Sequence, residues 1–244
     1  MLAYKVLSAG DTALVVEFGD RIDRELSSAV LSLAQGLEAE RIAGIVETVP
    51  TFRSLMVHYE PLVLPTAALV ARIDEQMKKL TITAASGHLW HLPVCYDPQF
   101  AIDLGEVAIR TSLSTDQVVE RHSGPLYHVY MLGFLPGQAY MGEVPAELAL
   151  DRLENPRTKI PAGSLAIAAS MSCVFPLETP CGWHIIGRCP IPFWDPVRAT
   201  SLLAPADKVQ FVPVSVREYE SLVTRASQGV LRIEPVSEFV GAVA

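Results

Sequence analysis

Two arginines in the second half of the chain follow rigid turns and could bind an anion. Arg157 comes directly after Pro156, and Arg188 follows Gly187 at the end of the segment WHIIG. A guanidinium that is held by a rigid turn is well suited to bidentate binding of a carboxylate or a phosphate. Each arginine could instead brace a turn carbonyl or pair with a nearby acid such as Asp195, and the sequence leaves both alternatives open.

One histidine in the same region could transfer a proton. His122 lies near the end of a predicted helix, and an imidazole can act as a general acid or base at neutral pH. A histidine at this position can also stabilise the helix C-terminus through the helix dipole. The position alone therefore leaves a catalytic role and a capping role open.

The segment GFLPGQAYMG, residues 133–142, combines three glycines, a proline and two aromatic residues with no charge. It is too broken for a regular strand and too apolar for a solvated loop, which predicts unusual backbone conformations beside something bulky. Gln138 either meets backbone groups of its own loop or points into a cleft. The aromatic side chains of this region could wall a planar ligand or belong to the core; they are Phe134, Tyr140, Tyr127 and Trp183.

The sequence lacks the motifs that are typical of several other kinds of chemistry. The chain contains no GxxxxGK[ST], GxGxxG, GxSxG or HExxH motif, so no common nucleotide, hydrolase or zinc-protease motif is present. His88 and His91 have the spacing of metal ligands, but they lie where a linker meets a strand. The four cysteines form no CxxC pair. We therefore expect no intrinsic metal ion and free thiols.

Composition limits the partners that the chain could bind. A net charge of −8 argues against nucleic acid and anionic membranes. Mean hydropathy is +0.30, yet the longest apolar runs are interrupted and shorter than the ~20 residues of a membrane span. The N-terminus shows no signal peptide. These features predict a cytoplasmic protein with an apolar face that docks on a partner.

The elements that must position these residues fall into two predicted domains, and the first covers residues 1–87. YKVLS and ALVVEFG flank a turn signal, and GIVETVP and RSLMVHYE indicate two further strands. A helix is predicted over residues 23–40, which Asp20 or Asp23 could cap, and its apolar stripe at helical spacing consists of Ile22, Leu26, Ala29, Val30, Leu33 and Leu37. A second helix is predicted from Pro65 to Leu80. The order ββαββα predicts a two-layer sandwich of helices on an antiparallel sheet.

The second predicted domain covers residues 88–244. Residues 81–90 are small and polar, which is typical of a linker, and HLPVCY then indicates a strand. Residues 101–123 predict two short helices. Short strands separated by Gly and Pro turns follow, which indicates a β-barrel or a sandwich, and the chain ends in a tail.

Long segments of both domains resemble one known family. GFLPGQAYMGEVP, NPRTKIPAGSLAIA and PCGWHIIGRCP resemble motifs of the KipI / allophanate hydrolase subunit 1 family, and GDTALVVEFGD and VPTFRSLMVHYEP resemble its first-domain signatures. The resemblance implies an α+β fold, with a small ferredoxin-like α/β N-terminal domain followed by a cyclophilin-like β-barrel. It also implies a cleft with these substrate-binding residues: Phe134, Pro136, Gly137, Gln138, Tyr140, Lys159 and Trp183.

Bacterial members of that family are mostly described as the B subunit of an ATP-dependent 5-oxoprolinase, which hydrolyses 5-oxoproline to glutamate. The resemblance implies a chain that is active only with a matching C subunit of the allophanate hydrolase subunit 2 family, as a heterodimer or heterotetramer, and with an A subunit. ATP with Mg would bind at a site shared with a partner. Phosphorylation of the lactam needs cations near the developing charge. The candidates are Arg157, Arg188 and Lys159, and His122 would transfer a proton.

The resemblance leaves two alternative functions open. One is a regulatory protein that inhibits a sensor histidine kinase, for which a docking surface suffices, and the other is a subunit related to carboxyltransferases and allophanate hydrolases. The chain departs from the family where Gln138 replaces an aromatic residue, Cys181 replaces a glycine, and Met171–Cys173 replace Gln-Thr-Gly. These departures lie in the cleft-forming motifs, so they leave the substrate open.

Overall fold

The structure, a computed structural model, describes residues 2–82 and 86–240, without the side chains of residues 237–240. The described chain forms two compact units, and the boundary between them falls between Ser86 and Gly87. Of the predicted linker, residues 83–85 lie outside the described residues. The last part of the predicted linker, from Ser86 onward, already belongs to a strand. The strand that was predicted at HLPVCY therefore begins at Ser86, earlier than the sequence indicated.

The first unit packs two helices against a four-stranded antiparallel sheet with strand order β1-β2-β4-β3. Buried residues of both helices and of β2 and β4 share one apolar cluster, which confirms the predicted α/β sandwich. The elements are β1 (Lys5–Ser8), β2 (Ala13–Glu17), α1 (Arg24–Glu40), β3 (Ile45–Pro50), β4 (Ser54–Tyr59) and α2 (Thr66–Lys79).

Local interactions define the ends of α1. The Asp23 carboxylate accepts hydrogen bonds from the backbone N–H groups of Glu25 and Leu26, which satisfies two donors at the helix start. Asp23 is therefore the cap, rather than Asp20. The helix ends at Arg41, which has φ of 48°. Ile22 precedes the cap and is exposed, so the buried stripe begins at Leu26.

The second unit is built on an eight-stranded sheet with strand order β12-β9-β10-β7-β6-β15-β5-β16. The β15–β5 pair is parallel, and the long connection that such a pair requires contains the strands from β6 to β14 and two helices. The strands are β5 (Ser86–Val94), β6 (Tyr127–Leu132), β7 (Ala139–Gly142), β8 (Arg157–Ile160), β9 (Ser164–Ala168), β10 (Met171–Val174), β11 (Thr179–Cys181), β12 (His184–Arg188), β13 (Trp194–Asp195), β14 (Thr200–Ser201), β15 (Lys208–Pro213) and β16 (Ser237–Val240). The helices are α3 (Leu104–Thr111), α4 (Thr115–Ser123) and α5 (Val216–Ser227), with a 3₁₀ turn at Ala146–Leu148.

One residue pair closes this sheet into a barrel. The backbone N–H groups of Cys95 and Arg188 each donate to the carbonyl of the other residue at 2.9 Å, and this bridge joins the end of β5 to the edge strand β12. The strand β16, beside the first part of β5, remains the last strand of the sheet order. Large buried side chains such as Tyr127, Met141 and Phe211 fill the interior. The predicted α+β class with a β-barrel second domain is confirmed.

The segment predicted as a C-terminal tail contains a helix that the sequence analysis missed. Ser215 and Glu218 form a capping box, in which each side chain bonds the backbone N–H of the other residue. This S-x-x-E spacing is a helix-start signal. The interpretation as a tail was therefore wrong for α5, whose buried Tyr219 packs against Phe100 at a ring distance of 4.5 Å.

Candidate functional site

Three arginines line one open cavity in the second unit, which we call the arginine cleft. The cavity has a volume of about 650 Å³ and lies between α3 and the loop that leads into β8. The cleft is lined by Glu106, Arg110, Asp151, Arg152, Leu153, Glu154, Asn155 and Arg157. Guanidinium groups that converge on one cavity provide several N–H donors for an oxyanion.

Arg157 is held against the wall of the barrel by a buried carboxylate. It lies opposite Cys181 in the β8–β11 pair, and its Nη2 donates to Asp103. Asp103 is only 2% exposed, and its second oxygen accepts the backbone N–H of Ile185 at 2.6 Å. Nη1 of Arg157 is also buried but has no hydrogen-bond partner among the described residues. The guanidinium is thus fixed in place with one donor still unused.

Arg152 lies on an aromatic side chain. Its guanidinium carbon is 5.8 Å from the centre of the Trp183 ring, a distance at which a cation is attracted to the ring face. Trp183 is buried and contacts Tyr140 edge to face at 6.0 Å. Two predicted ligand-binding aromatics therefore support an arginine that the sequence analysis did not select.

His184 lies behind the cleft and contacts Arg110. Its Nε2 is 2.9 Å from the carbonyl oxygen of Asp151 and 3.5 Å from Nη1 of Arg110. Because a carbonyl only accepts, the shorter contact assigns the proton to Nε2. Nδ1 is then an acceptor, and it is buried without a partner among the described residues.

The cleft also contains acidic groups, which limit where an anion could bind. Glu106 is 3.8 Å from Arg110 on the same helix, and Asp151 and Glu154 belong to the lining. Like charges repel an anion. The most favourable position is therefore next to the guanidinium groups of Arg152 and Arg157 and away from these carboxylates.

The thiols beside the cleft are poor nucleophiles. Burial raises the pKa of Cys181, although the backbone N–H of Trp183 and the Arg157 charge oppose this effect. Burial also raises the pKa of Cys173. Since the thiolate is the reactive form, both residues are protonated at neutral pH.

His122 lies inside the barrel and outside the arginine cleft. Its exposed fraction is 0%; Nδ1 is 2.9 Å from the Tyr96 hydroxyl and Nε2 is 3.1 Å from the Ser172 hydroxyl. The ring stacks on Phe211 at 4.9 Å. Burial lowers the pKa of His122 to about 3. The side chain is enclosed by protein atoms, so it cannot contact a ligand in the cleft in this conformation.

Arg188 lies at the other end of β12 from the cleft. Its Nε donates to the carbonyl of Ala162 at 3.0 Å, and its guanidinium lies 5.9 Å from the centre of the Phe100 ring. His184 and Arg188 begin and end the same strand, which separates their Cα atoms by roughly 13 Å. The structure therefore does not place Arg157 and Arg188 at one cavity.

The other predicted binding residues are dispersed. Lys159 is exposed and its Nζ is 2.9 Å from Glu178. Phe134 is 67% exposed at the tip of the β6–β7 loop, with φ of 71°, and Pro136 beside it is exposed. Among the predicted residues, Arg157 lines the arginine cleft, and Tyr140 contacts Trp183, which lies under Arg152 of the same cleft.

The buried part of the β6–β7 loop belongs to the protein's own packing. Gly137 has φ of 78°, and a Cβ there would lie 2.5 Å from the carbonyl oxygen of Phe193. Only glycine fits this approach, so the predicted unusual backbone is confirmed. Gln138 is 1% exposed, and its side chain forms a hydrogen bond with the side chain of Cys173. Its Oε1 has no partner among the described residues.

Sequence reasoning missed Asp103, Arg110, Arg152 and His184. Asp103 stands immediately before α3, where an aspartate usually caps the helix, but its side chain makes no cap hydrogen bond. Arg152 lies in the charged run DRLENPR, which is typical of a solvated loop. Its contact with Trp183 depends on tertiary structure, so no local signal could have revealed it.

The described residues contain neither a candidate metal centre nor a candidate membrane span. Among residues 2–82 and 86–240, no group of three or more His, Cys, Asp or Glu side chains is arranged to hold a metal ion. Within the same residues, no helix is both long and apolar enough to cross a membrane.

Together these features define an α+β protein whose second unit is a closed barrel with an arginine-lined cleft. Residues 4–204 match the family described as carboxyltransferase domain, subdomain C and D, and the chain belongs to that family. The chain is 32% identical to the B subunit of 5-oxoprolinase from Bacillus subtilis over 230 residues, which cover 89% of this chain and 96% of the relative. It is 35% identical to the B subunit of 5-oxoprolinase from Escherichia coli O157:H7 over 208 residues, which cover 84% and 93% of the two chains.

A solved structure confirms the fold. The urea amidolyase of K. lactis superposes on 97% of this chain with a TM-score of 0.82 and 19% identity. This chain spans 16% of that protein, so the likeness concerns the fold alone. The family resemblance that the sequence motifs indicated is confirmed by the curated relatives.

Proposed function

We propose that this chain is a subunit of an ATP-dependent 5-oxoprolinase, which hydrolyses 5-oxoproline to glutamate. The observation that carries this proposal is the similarity, over nearly the full length of both chains, to proteins named as the B subunit of 5-oxoprolinase. Those relatives do not favour kinase inhibition or an allophanate-related role. Their naming as one lettered subunit also supports an assembly with other chains, for which a matching C subunit and an A subunit are the candidates.

The arginine cleft is the site in this chain best suited to that chemistry. A five-membered lactam is a stable amide, and ATP supplies the phosphoryl group that activates its carbonyl. Negative charge develops on the transferred group and on the carbonyl oxygen, and preorganised cations stabilise such charge. Arg157 meets this need because it lines the cleft and Asp103 fixes the orientation of its guanidinium, while Arg152 is exposed at the same cavity.

The cleft alone does not account for nucleotide binding. Its guanidinium donors fit a phosphoryl or carboxylate oxyanion, but the chain has no common nucleotide motif. The described residues also contain no metal-ion cluster. We therefore propose that a partner chain completes the site for ATP with Mg, and that this chain is inactive alone.

Three residues that the sequence analysis proposed for the site have other contacts. His122 is enclosed in the barrel, so the proposal assigns it no proton transfer to substrate. Arg188 bonds the carbonyl of Ala162 and lies over Phe100, so it supports the barrel closure next to Cys95. Lys159 is paired with Glu178 on the surface.

Reconstitution tests the proposal. The chain is purified alone and together with the matching subunits, and 5-oxoproline-dependent ATP hydrolysis is measured. We expect turnover only in the complete mixture. Arg157→Lys keeps a charge beside Asp103 but removes the planar guanidinium and its paired donors, so we expect a loss of at least ~10-fold, or about 1.4 kcal/mol of barrier.

The control is the same substitution at an exposed arginine, Arg198→Lys, whose partner is Asp195. Turnover by the chain alone would contradict the predicted dependence on partners. A complete mixture that hydrolyses ATP without any dependence on 5-oxoproline would contradict the substrate. Equal losses in the two arginine variants would remove the cleft from the mechanism.

A further inference from the structure

A second cavity in the barrel unit differs in chemistry from the arginine cleft. It has a volume of about 980 Å³ and lies between the chain after β5, the start of α3, one face of α4 and the β15–α5 connection. We call it the acidic groove. It is open to solvent and larger than the arginine cleft, whose volume is about 650 Å³.

The walls of the groove combine apolar surface with hydroxyl groups. Ile102 is 56% exposed beside it, and Val119, Val214 and Val216 also belong to the lining. Covering apolar surface of this kind favours protein association. Ile102 and the valines give the groove a concave apolar wall beside its polar groups.

All charged residues in the lining are acidic. They are Asp97, Asp116 and Glu120, and no Lys, Arg or His belongs to the described lining. Asp116 and Glu120 are four residues apart on α4 and are both exposed, a spacing at which like charges destabilise a helix slightly. Neither carboxylate has a salt-bridge partner among the described residues. A cationic partner would relieve this repulsion.

Hydrogen bonds hold the walls in place before any partner binds. The backbone N–H groups of Phe100 and Ala101 donate to the carbonyl of Asp97 at 2.8 and 2.9 Å, and Val214 N–H donates to the carbonyl of Val94 at 2.9 Å. Capping boxes fix the starts of α4 and α5. A preformed groove loses little conformational entropy when it binds a partner.

We propose that the acidic groove docks a basic, amphipathic segment of another protein chain, in which Lys or Arg residues flank one or more apolar side chains. The cations would approach Asp116 and Glu120, and the apolar side chains would cover Ile102 and the valines of the wall. The acidic lining disfavours an anionic membrane as the occupant. This inference does not depend on the enzymatic activity proposed above.

The test uses the full-length protein and two labelled synthetic peptides of the same amphipathic design. One peptide carries only Lys as its charged residue, and the other carries only Glu. Fluorescence anisotropy measures binding to the wild type, to the double variant Asp116→Lys/Glu120→Lys and to Ile102→Ser. The control is Glu220→Lys on α5, an exposed acid outside the groove lining.

The proposal predicts binding of the Lys peptide that weakens as salt increases, because exposed charges are screened. The double variant should lose at least ~10-fold in affinity, or about 1.4 kcal/mol, and Ile102→Ser should lose several-fold. Glu220→Lys should stay within about twofold of the wild type. Equal affinity of the wild type and the double variant overturns the proposal. So does an equal loss in the control variant, because that result would indicate only a general attraction to the acidic chain.

Discussion

The arginine cleft and the barrel interior around His122 differ in how far their polar atoms are satisfied by hydrogen bonds. Both ring nitrogens of His122 have partners, in Tyr96 and Ser172. In the cleft region, Nη1 of Arg157 and Nδ1 of His184 are buried without a partner among the described residues. Buried polar groups in folded proteins are nearly always bonded. The interior network is therefore complete as it stands, whereas the side chains around the cleft leave two buried polar atoms unbonded.

The two regions also differ in access. His122 is enclosed by aromatic rings of Phe211 and Tyr127, while Arg152 lies exposed on the face of Trp183. A group that must meet a ligand needs an open path as well as suitable chemistry. This difference separates an enclosed histidine from the arginines for which we propose a binding role, although both belong to the Gly- and Pro-rich half of the chain.

The largest effect on stability should come from the carboxylate that holds the cleft together. Asp103→Ala leaves the Arg157 guanidinium and the backbone N–H of Ile185 without their partner, and we expect a loss of about 3 kcal/mol. Urea denaturation measures this loss. Glu178→Ala, which removes the surface partner of Lys159, should unfold near the wild-type urea concentration. Similar midpoints for the two variants would show that the Asp103 pair does not fix the cleft wall.

A somewhat smaller effect is expected at the interior network. His122→Phe keeps an aromatic ring against Phe211 but leaves the Tyr96 hydroxyl without its partner and the Ser172 hydroxyl with only the Ala166 carbonyl at 3.4 Å, at a cost of about 2 kcal/mol at pH 7. Urea denaturation at pH 7 checks this cost. A variant as stable as the wild type would show that the two hydrogen bonds contribute nothing net.

The pH dependence of stability tests more directly whether His122 is enclosed in the folded state. Burial lowers the pKa of His122 in the folded state to about 3, whereas the unfolded chain binds the proton near pH 6.5. The contribution of neutral His122 is thus fully present above pH 6.5 and is lost as pH falls, at about 1 kcal/mol per pH unit. Between pH 6.5 and 5, the wild type should lose stability more steeply than His122→Phe. Parallel curves would contradict the enclosed state of this residue.

The smallest expected effect on stability concerns Phe134 in the β6–β7 loop. Phe134 adopts φ of 71° at an exposed position, a conformation that costs about 1 kcal/mol outside glycine. Phe134→Gly should therefore raise the urea midpoint slightly, partly offset by the freedom that glycine gives the unfolded chain. A lower midpoint would show that the exposed ring makes stabilising contacts that outweigh the strain.

Much of the fold could be predicted because local signals and tertiary structure agree. The apolar stripe at Leu33, Leu37 and their helical neighbours predicts α1, and Leu69, Ile73 and Met77 predict α2; all five side chains are buried. Short strands with Gly and Pro turns predict the barrel. The sequence analysis missed the helix α5. The spacing of Ser215 and Glu218 is that of a capping box and was the signal that could have revealed it.

The site was less predictable because it depends on contacts between distant segments. Arg157 was selected for its rigid turn, but its partner Asp103 is 54 residues away in sequence. His122 was selected for its chemistry, and nothing local in the sequence shows that Phe211 covers its ring. Arg152 contacts the ring of Trp183, and this contact between separate segments forms only in the folded barrel.

The central claim is that the arginine cleft, and not the arginine at the other end of β12, meets the reacting anion. The most direct test compares kcat/KM of Arg152→Ala and Arg188→Ala in the reconstituted assembly, with folding checked by circular dichroism. We predict a loss of about 100-fold, or about 2.7 kcal/mol of barrier, for Arg152→Ala and a much smaller loss for Arg188→Ala. A large loss in Arg188→Ala together with a nearly unchanged Arg152→Ala would contradict the account.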